Sequence, residues 1–195
     1  MSQTPGAPRL LIKQAFRCEQ KQWLRNFANV NAPCKAVHTD VTRLPLEELG
    51  AVDLLVAGFS CKSLSTMNRG RCSLVDKTSS SGQTWGGTLS YIDRWLPKRI
   101  LLENVLGLVR KCRSAPKGGQ IGWTLIQTAL ASLGYVCGYH IVSPEHFLLP
   151  QRRLRVYVWA EHGLDNGPDV LAWWAGFLKS METEPACLEQ FLVIE

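Results

Sequence analysis

The stretch that decides the fold is Val52-Asp53-Leu54-Leu55-Val56-Ala57-Gly58-Phe59-Ser60-Cys61-Lys62-Ser63-Leu64-Ser65. Its first half is a short apolar run without helical period, which predicts a buried parallel strand over residues 52–57. A small polar loop follows and carries Cys61. Because open α/β sheets bind ligands at the carboxyl ends of their strands, this thiol is a candidate nucleophile. Since free cysteines also pack as small core hydrophobes, the loop alone leaves both interpretations open.

Two other apolar runs adjoin polar groups of complementary chemistry. Residues 99–105 form an apolar run, and the strand predicted within it, over 99–103, ends at the carboxylate of Glu103. Residues 151–155 form an arginine cluster, and the predicted strand 154–160 begins within it. A thiol, a carboxylic acid and guanidinium groups at the ends of three strands would converge on one ligand.

These three segments resemble the signatures of the cytosine-5 DNA methyltransferase family. The family carries Gly-Phe-Pro-Cys-Gln, then Glu-Asn-Val, then Gln-x-Arg-x-Arg. Here the corresponding residues are Gly-Phe-Ser-Cys-Lys at 58–62, Glu-Asn-Val at 103–105 and Gln-Arg-Arg-Leu-Arg at 151–155. Each motif is weak alone, but their order and spacing together are specific.

The resemblance implies an α/β fold, a Rossmann-like S-adenosylmethionine-dependent methyltransferase sheet that lacks its first strand. The family's glycine-rich Phe-x-Gly-x-Gly segment has no counterpart before Glu19, and no target-recognition region follows the arginine motif. We expect a disordered tail over residues 1–9, the catalytic domain over 10–160 and a helical extension over 161–195.

The resemblance also implies roles for four catalytic residues. Cys61 would add to C6 of cytosine, and Glu103 would protonate N3. Arg155 would donate to O2 and lower the pKa of the thiol, with Arg153 holding the loop or the base. Cytosine C5 is too weak a nucleophile to take a methyl group unaided, so the reaction needs this thiol and this acid.

Four residues correspond to the family's site for S-adenosylmethionine. By resemblance, Glu19 would accept hydrogen bonds from the ribose, Asp40 would hold the adenine amino group, and Ser60 and Leu89 would line the pocket. For Glu19, a helix-start glutamate is an equal alternative. For Leu89, which belongs to a Gly-Thr-Leu segment at 87–89, a plain helix start is the alternative.

Two residues beside the thiol differ from the family signature. Ser60 replaces a proline and gives up the fixed φ that would stiffen the loop. Lys62 replaces a glutamine and would lower the pKa of the thiol or contact a phosphate.

Composition favours an intracellular protein of one domain with a polyanionic partner. The 195 residues carry a net charge of +6, and basic residues gather at Arg69/Arg71, Lys111/Arg113 and 152–155. DNA, or RNA, would be the partner. No apolar run reaches the roughly 20 residues of a membrane helix, and the start lacks the features of a signal peptide. We therefore expect no membrane association and, in a eukaryote, a nuclear location; the oligomeric state is not indicated.

The seven cysteines, an odd number without a close pair, predict reduced thiols and no metal site.

Periodicity and turn residues predict the other elements. We expect a strand over 10–18, a helix over 20–29 that packs Trp23, Leu24 and Phe27 against the sheet, and a polar lid over 63–87 whose Arg69 and Arg71 contact phosphates. The sequence also predicts a strand over 36–41, a helical turn over 44–49, a helix over 86–96, a helix over 123–133, a strand over 135–142, and helices over 170–181 and 188–194.

Three functions fit these residues. The first is methyl transfer to cytosine C5 in DNA. The second keeps the chemistry but changes the substrate to tRNA. The third is a catalytically inactive remnant of the family that binds nucleic acid.

Overall fold

The computed structural model describes residues 12–34, 36–64, 74, 76–110, 122–163 and 167–184. The chain forms two compact units, residues 1–49 and 50–195. Several predicted features lie outside the described residues: the tail at 1–9, the arginines at 69 and 71, the basic residues at 111 and 113, and the helix over 188–194.

The first unit is a small β-α-β arrangement. Strand β1 (Phe16–Cys18) pairs in parallel with β2 (Ala36–His38), and helix α1 (Gln22–Asn31) connects them. The 3-10 turn Val41–Arg43 and the short helix α2 (Leu46–Leu49) follow. The first strand is shorter than predicted, because β2 offers only three pairing partners and residues 12–15 have no regular structure.

The predicted packing of α1 is only partly right. Trp23 and Phe27 are 64% and 66% exposed, whereas Leu24 is half-buried as expected. Arg25, next to Leu24, is half-buried, and its Nη1 donates to the carbonyl oxygens of Glu19 and Gln20 at 2.7 and 2.6 Å. The half-buried face of α1 therefore includes Leu24 and Arg25, and the two large aromatic side chains lie on its exposed face.

The second unit contains a four-stranded mixed sheet. Its strands are β3 (Leu54–Gly58), β4 (Arg99–Val105), β5 (Tyr135–Val142) and β6 (Arg155–His162), in the order β3-β4-β6-β5. β3 runs parallel to β4, and β6 is antiparallel to both β4 and β5. The helices are α3 (Ser80–Trp95), α4 (Gly122–Ser132) and α5 (Gly167–Met181).

Alternation along the central strands defines two faces of this sheet. One face carries the fully buried Ile100, Leu102, Val156 and Val158, and α4 packs there through an edge-on contact between Trp123 and Tyr139. On the other face, α5 packs on β5 and β6. Trp174 stacks on Trp159 at 5.0 Å between ring centroids, and Leu171 lies over Gly138.

The prediction of a buried strand over 52–57 is wrong in one respect. The strand exists, as Leu54–Gly58, but only Leu55 is buried, and Leu54 and Val56 are 46% and 64% exposed. The reason is topological, since β3 lies at the end of the sheet and pairs only with β4 among the described residues.

The predicted polar loop over 63–87 is also too long. Helix α3 begins at Ser80, where the Oγ of Ser79 accepts the amide of Gly82 at 3.1 Å as an N-cap. Gly82 is required for the close turn, because a Cβ there would lie 2.1 Å from the carbonyl oxygen of Asp76. The helix ends at Trp95, before Pro97, close to the predicted end.

The described residues contain no helix long and apolar enough to cross a membrane. Cys18, Cys34, Cys61 and Cys137, the cysteines within the described ranges, are free thiols. No cluster of three His, Cys, Asp or Glu side chains in these ranges could hold a metal ion.

Candidate active site

Cys61 lies in the loop that follows the carboxyl end of β3. Its thiol is half-buried, whereas Cys137 is only 8% exposed and belongs to the core. The amide of Leu64 donates to the carbonyl oxygen of Cys61 at 3.0 Å and closes a turn around it. Phe59, which precedes the loop, is buried and contacts the ring of Trp85 at 5.4 Å between centroids. The thiol is therefore held beside apolar anchors without being enclosed by them.

Asn104 fastens this loop to the end of β4. It is 1% exposed; its Nδ2 donates to the carbonyl oxygen of Phe59 at 3.1 Å, and its Oδ1 accepts the amide of Val105 at 2.9 Å. A buried amide with both ends paired holds two backbone segments at a fixed separation. Asn104 thus couples the loop of Cys61 to the strand that carries Glu103.

Glu103 and Arg155 form an ion pair on the opposite face of the sheet from Asn104. The distance from Arg155 Nε to Glu103 Oε1 is 3.0 Å, and the side chains are 22% and 40% exposed respectively. The register pairs Val105 with Arg155 and Glu103 with Tyr157. Glu103 and Arg155 are therefore diagonal neighbours on the same face, within reach of each other's long side chains.

The carboxylate of Glu103 also lies against β3. Gly58 is the register partner of Glu103, and a Cβ at position 58 would be 3.4 Å from Oε2. The acid therefore lies between an arginine on one neighbouring strand and the glycine that leads into the Cys61 loop on the other.

Gly107 allows a second close approach in this region. A Cβ at this position would lie 1.7 Å from the carbonyl oxygen of Leu64, three residues after Cys61. Because that neighbour is backbone, no side-chain movement could relieve the overlap. Absence of a side chain at 107 therefore permits the segment after β4 to pack on the Cys61 loop.

The three arginines of the 151–155 motif have different contacts. Arg155 meets the acid, and its Nη1 also donates to the carbonyl oxygen of Leu154 at 2.9 Å. The side chain of Arg153 is exposed, while its amide donates to the Oγ of the buried Ser143 at 3.3 Å. Arg152 lies 3.9 Å from Glu145. Only Arg155 of this motif therefore contacts Glu103.

In the first unit, Glu19 follows the end of β1. Its Oε1 accepts the amide of Lys21 at 2.8 Å, at the start of α1. This contact is the helix-start role that the sequence left as an alternative. Its other carboxylate oxygen accepts no hydrogen bond among the described residues.

Asp40 caps the 3-10 turn Val41–Arg43. Its Oδ1 accepts the amide and the hydroxyl of Thr42 at 2.9 and 2.7 Å. These hydrogen bonds lower the pKa of the Asp40 carboxyl, with a smaller contribution from the charge of Arg43. The carboxylate is therefore a stable acceptor with one oxygen outside the cap.

Sequence reasoning missed the hydrogen-bonding residues that hold the loop. Asn104 has a readable signal, since it is a polar residue at a position of β4 that alternates with buried Ile100 and Leu102. Two hydroxyls of α3 also hold the backbone of the loop. Ser81 accepts the amide of Ser63, and Thr84 accepts the amide of Ser60. They had no such signal, because they fell inside a segment interpreted as a loop. Leu89, on the same helix, is half-buried.

Comparison with known proteins identifies the family. A family model for C-5 cytosine-specific DNA methylases matches residues 6–168. The chain belongs to this family. The type II methyltransferase M.NlaIV of Neisseria lactamica is 29% identical over 176 residues, which cover 89% of this chain and 38% of that protein. The DNA (cytosine-5-)-methyltransferase DMT5 of Cryptococcus neoformans is 25% identical over 183 residues, which cover 88% of this chain and 7% of that protein.

Solved structures of two methyltransferases share the fold. The Dnmt2 methyltransferase of S. pombe has a TM-score of 0.57 and 20% identity, covering 79% of this chain and 45% of that one. The Entamoeba histolytica methyltransferase EhMeth has a TM-score of 0.55 and 15% identity, covering 77% and 46%. These comparisons confirm the predicted Rossmann-like methyltransferase fold. The chain spans less than half the length of each of these relatives and solved chains.

Proposed function

We propose that this chain carries the catalytic centre of a DNA cytosine-5 methyltransferase, with Cys61 as the nucleophile that attacks C6 of the target base. One observation carries the proposal. The ion pair of Glu103 and Arg155, together with the bond from Asn104 to Phe59, gathers all three family signatures at one end of the sheet. A purely structural role for these residues would not require that convergence.

The proposed reaction proceeds through a covalent adduct. The Cys61 thiolate adds to C6 while Glu103, as a carboxylic acid, gives a proton to N3, so that the ring becomes an enamine at C5. C5 would then take the methyl group from a sulfonium donor, which would be left as a neutral thioether. Loss of the C5 proton to a base expels the Cys61 thiolate, and N3 returns its proton to the Glu103 carboxylate, which restores the aromatic ring and the free enzyme.

Arg155 and Glu103 would work as a unit. The guanidinium donates to O2 of the cytosine, where negative charge gathers after thiol addition, and its bond to Glu103 fixes the orientation of the acid. Arg153, which is exposed, would contact the base or a neighbouring phosphate once DNA is bound. The target base must leave the helix stack to reach this site, at a cost of a few kcal/mol.

The donors and acceptors present fit S-adenosylmethionine as the cofactor. Within the described residues, one carboxylate oxygen of Glu19 accepts no hydrogen bond and would accept from ribose hydroxyls. Oδ2 of Asp40, which lies outside the cap and 3.8 Å from Arg43 Nε, would accept from the adenine amino group. Ser60 and Leu89, in the second unit, are the two other residues that we propose, by resemblance to the family, to bind the cofactor. When bound, the cofactor supplies an electrophilic methyl group on a sulfonium ion.

DNA is the proposed substrate because the two sequence relatives above are named as DNA-modifying or type II methyltransferases. The net charge of +6 suits a polyanion of either kind. Methylation of tRNA and nucleic-acid binding without catalysis are the two other outcomes that the test must separate. An intracellular location, nuclear in a eukaryote, remains a prediction that follows from this substrate.

The direct test incubates the purified protein with tritiated S-adenosylmethionine and either unmethylated duplex DNA or unmodified tRNA. We expect label in DNA and none in tRNA, and no label in DNA with the Cys61→Ser variant. Label in tRNA alone would establish the second function. Retarded DNA migration without any label would establish the inactive remnant. Cys137→Ser is the matched control, since that thiol is buried in the core.

A further inference from the structure

The loop that carries Cys61 is held by hydroxyl groups of helix α3. The amide of Ser60 donates to Thr84 Oγ1 at 2.9 Å, and the amide of Ser63 donates to Ser81 Oγ at 3.0 Å. Ser81 is fully buried and Ser63 is 6% exposed. The two bonds fasten the loop one residue before and two residues after the thiol.

The hydroxyl of Thr84 acts as both donor and acceptor in these contacts. Its own proton goes to the carbonyl oxygen of Ser80 at 2.8 Å, one turn earlier in the helix. With its proton used in this way, the oxygen is left as an acceptor and is oriented toward the amide of Ser60. The hydroxyls of Ser60 and Ser80 add a third link at 3.3 Å, and the amide of Lys62 approaches the Ser60 hydroxyl at 3.4 Å.

The hydrogen bond to Thr84 requires the residue at position 60 to have an amide hydrogen. The family signature has a proline there, which stiffens the loop through its fixed φ and has no hydrogen to donate. In this chain Ser60 gives up that stiffness, and the same residue supplies the amide that Thr84 accepts.

We propose that Thr84 and Ser81 are positioning residues that hold the Cys61 loop in its reactive geometry, replacing the rigidity of the proline with hydrogen bonds from α3. The kinetic part of this inference rests on the proposed function. Because a displacement of about 1 Å at a reacting atom is costly, release of either bond lowers the rate of thiol addition.

The test compares Thr84→Val with Thr84→Ser. Valine keeps the shape but leaves the Ser60 amide without an acceptor, whereas serine keeps the acceptor. For Thr84→Val we expect kcat for methyl transfer to fall about tenfold with an unchanged KM for DNA, a factor equal to about 1.4 kcal/mol. Thr84→Ser restores kcat. Ser90→Ala is the control, because its hydroxyl makes the same bond to a carbonyl one turn earlier on an exposed face of α3.

Coupling to Ser60 distinguishes positioning from general damage to the helix. In a Ser60→Pro background there is no amide hydrogen to lose, so Thr84→Val should then change kcat less than twofold. If the two substitutions lower kcat independently, the hydroxyl acts on something other than this amide and the inference is wrong. If Ser60→Pro does not fold, the contrast between valine and serine at 84 decides.

A second readout does not depend on methyl transfer. The rate at which iodoacetamide alkylates Cys61 is measured by peptide mass mapping, with Cys34 of the first unit as the internal reference. We expect Thr84→Val and Ser81→Ala to raise the Cys61 rate at least threefold relative to Cys34, because a loosened loop exposes the thiol, and Thr84→Ser to leave it unchanged. Unaltered alkylation in both variants overturns the inference. If the wild type transfers no methyl group but these rates change as expected, the proposed function fails and the positioning role stands.

Discussion

Arg155 Nε lies 3.0 Å from Oε1 of Glu103, between diagonal positions of two antiparallel strands. The pair connects the second and third family signatures, which are about 50 residues apart in sequence. Both side chains are partly open to solvent, so a substrate base can approach them. This relationship is the strongest geometric support for a catalytic interpretation.

Substitution of Arg155 by lysine should damage catalysis although it keeps the charge. Lysine has no planar fork, so it cannot orient Glu103 and donate to a base oxygen together. We expect a loss in kcat of about 10²- to 10³-fold, the size found when a transition-state donor is removed. The measurement is methyl transfer to DNA at saturating substrate.

The matched control for that experiment is Arg99→Lys. Arg99 pairs with Glu161 at 3.2 Å on the same two strands, at the other end of the sheet. An equal loss of activity in Arg99→Lys would show that the effect is structural and would contradict a catalytic role for Arg155.

Asn104→Ala should destabilise the protein. The substitution leaves the Phe59 carbonyl oxygen and the Val105 amide without partners in a buried site. We expect the free energy of unfolding to fall by about 1–3 kcal/mol, as measured by urea denaturation. Asn31→Ala removes a similar amide-to-carbonyl bond from an exposed position, and its effect should stay within about 0.5 kcal/mol. Equal effects of the two variants would mean that Asn104 does not fasten the Cys61 loop to β4.

Gly107→Ala should be strongly destabilising. The new methyl group would overlap the backbone of Leu64, so either the Cys61 loop or the segment after β4 must move. We expect a loss of at least about 2 kcal/mol in the free energy of unfolding, in the range of overpacked sites. Gly176→Ala in α5 meets nothing within 4 Å and should be neutral or stabilising by about 0.5–1 kcal/mol. A stable, fully active Gly107→Ala protein would contradict the close approach.

The protein should lose stability at alkaline pH through its buried tyrosines. Burial raises the pKa of Tyr135 to about 12 and that of Tyr91 to about 12. An unfolded phenol ionises near pH 10, so the unfolded state binds fewer protons than the folded state between pH 10 and 12. The stabilising contribution is complete below pH 10 and is lost as the pH rises through 12.

The Tyr135→Phe variant tests the predicted fall in the free energy of unfolding at alkaline pH. The variant loses the hydrogen bond to the Pro97 carbonyl oxygen, made at 2.7 Å, so its stability at pH 7 should fall by about 1 kcal/mol. Its free energy of unfolding should then decline less steeply than that of the wild type above pH 10. The raised pKa values of Cys18 and Cys137, about 11 each, affect both proteins equally. Parallel curves for the two proteins would rule out the assigned titration.

Much of the second unit could be predicted from the sequence because its strands are apolar runs with clear ends. The bounds of β5 were predicted as observed, at Tyr135–Val142, and those of β4 and β6 within two residues. The fold class followed from the three motifs. The sequence predicts that Glu103 and Arg155 converge on one ligand, but it does not predict their direct ion pair. That pair depends on the register between β4 and β6, which is set by residues far apart in the chain.

Other features depended on contacts that local pattern does not carry. The first turns of α3 contain serines and glycine, residues of modest helix propensity, and the helix is fixed there by the Ser79 cap and the packing of Gly82 on Asp76. In α1 the aromatic periodicity predicts a buried face, but Trp23 and Phe27 are exposed, and the half-buried side chains include Leu24 and Arg25. In both helices, contacts that the local pattern does not show outweigh the local signal.

The central claim is that Cys61 is the nucleophile of a cytosine-5 methyl transfer, and covalent trapping tests it most directly. Duplex DNA that contains 5-fluorocytosine cannot lose its C5 substituent after methyl transfer, so an active enzyme remains attached to it. We predict an adduct stable to denaturing electrophoresis that forms only with S-adenosylmethionine present, and whose cross-linked peptide contains Cys61. An adduct that persists in the Cys61→Ser variant, or its absence from a folded wild-type protein that binds this DNA and the cofactor, would contradict the claim.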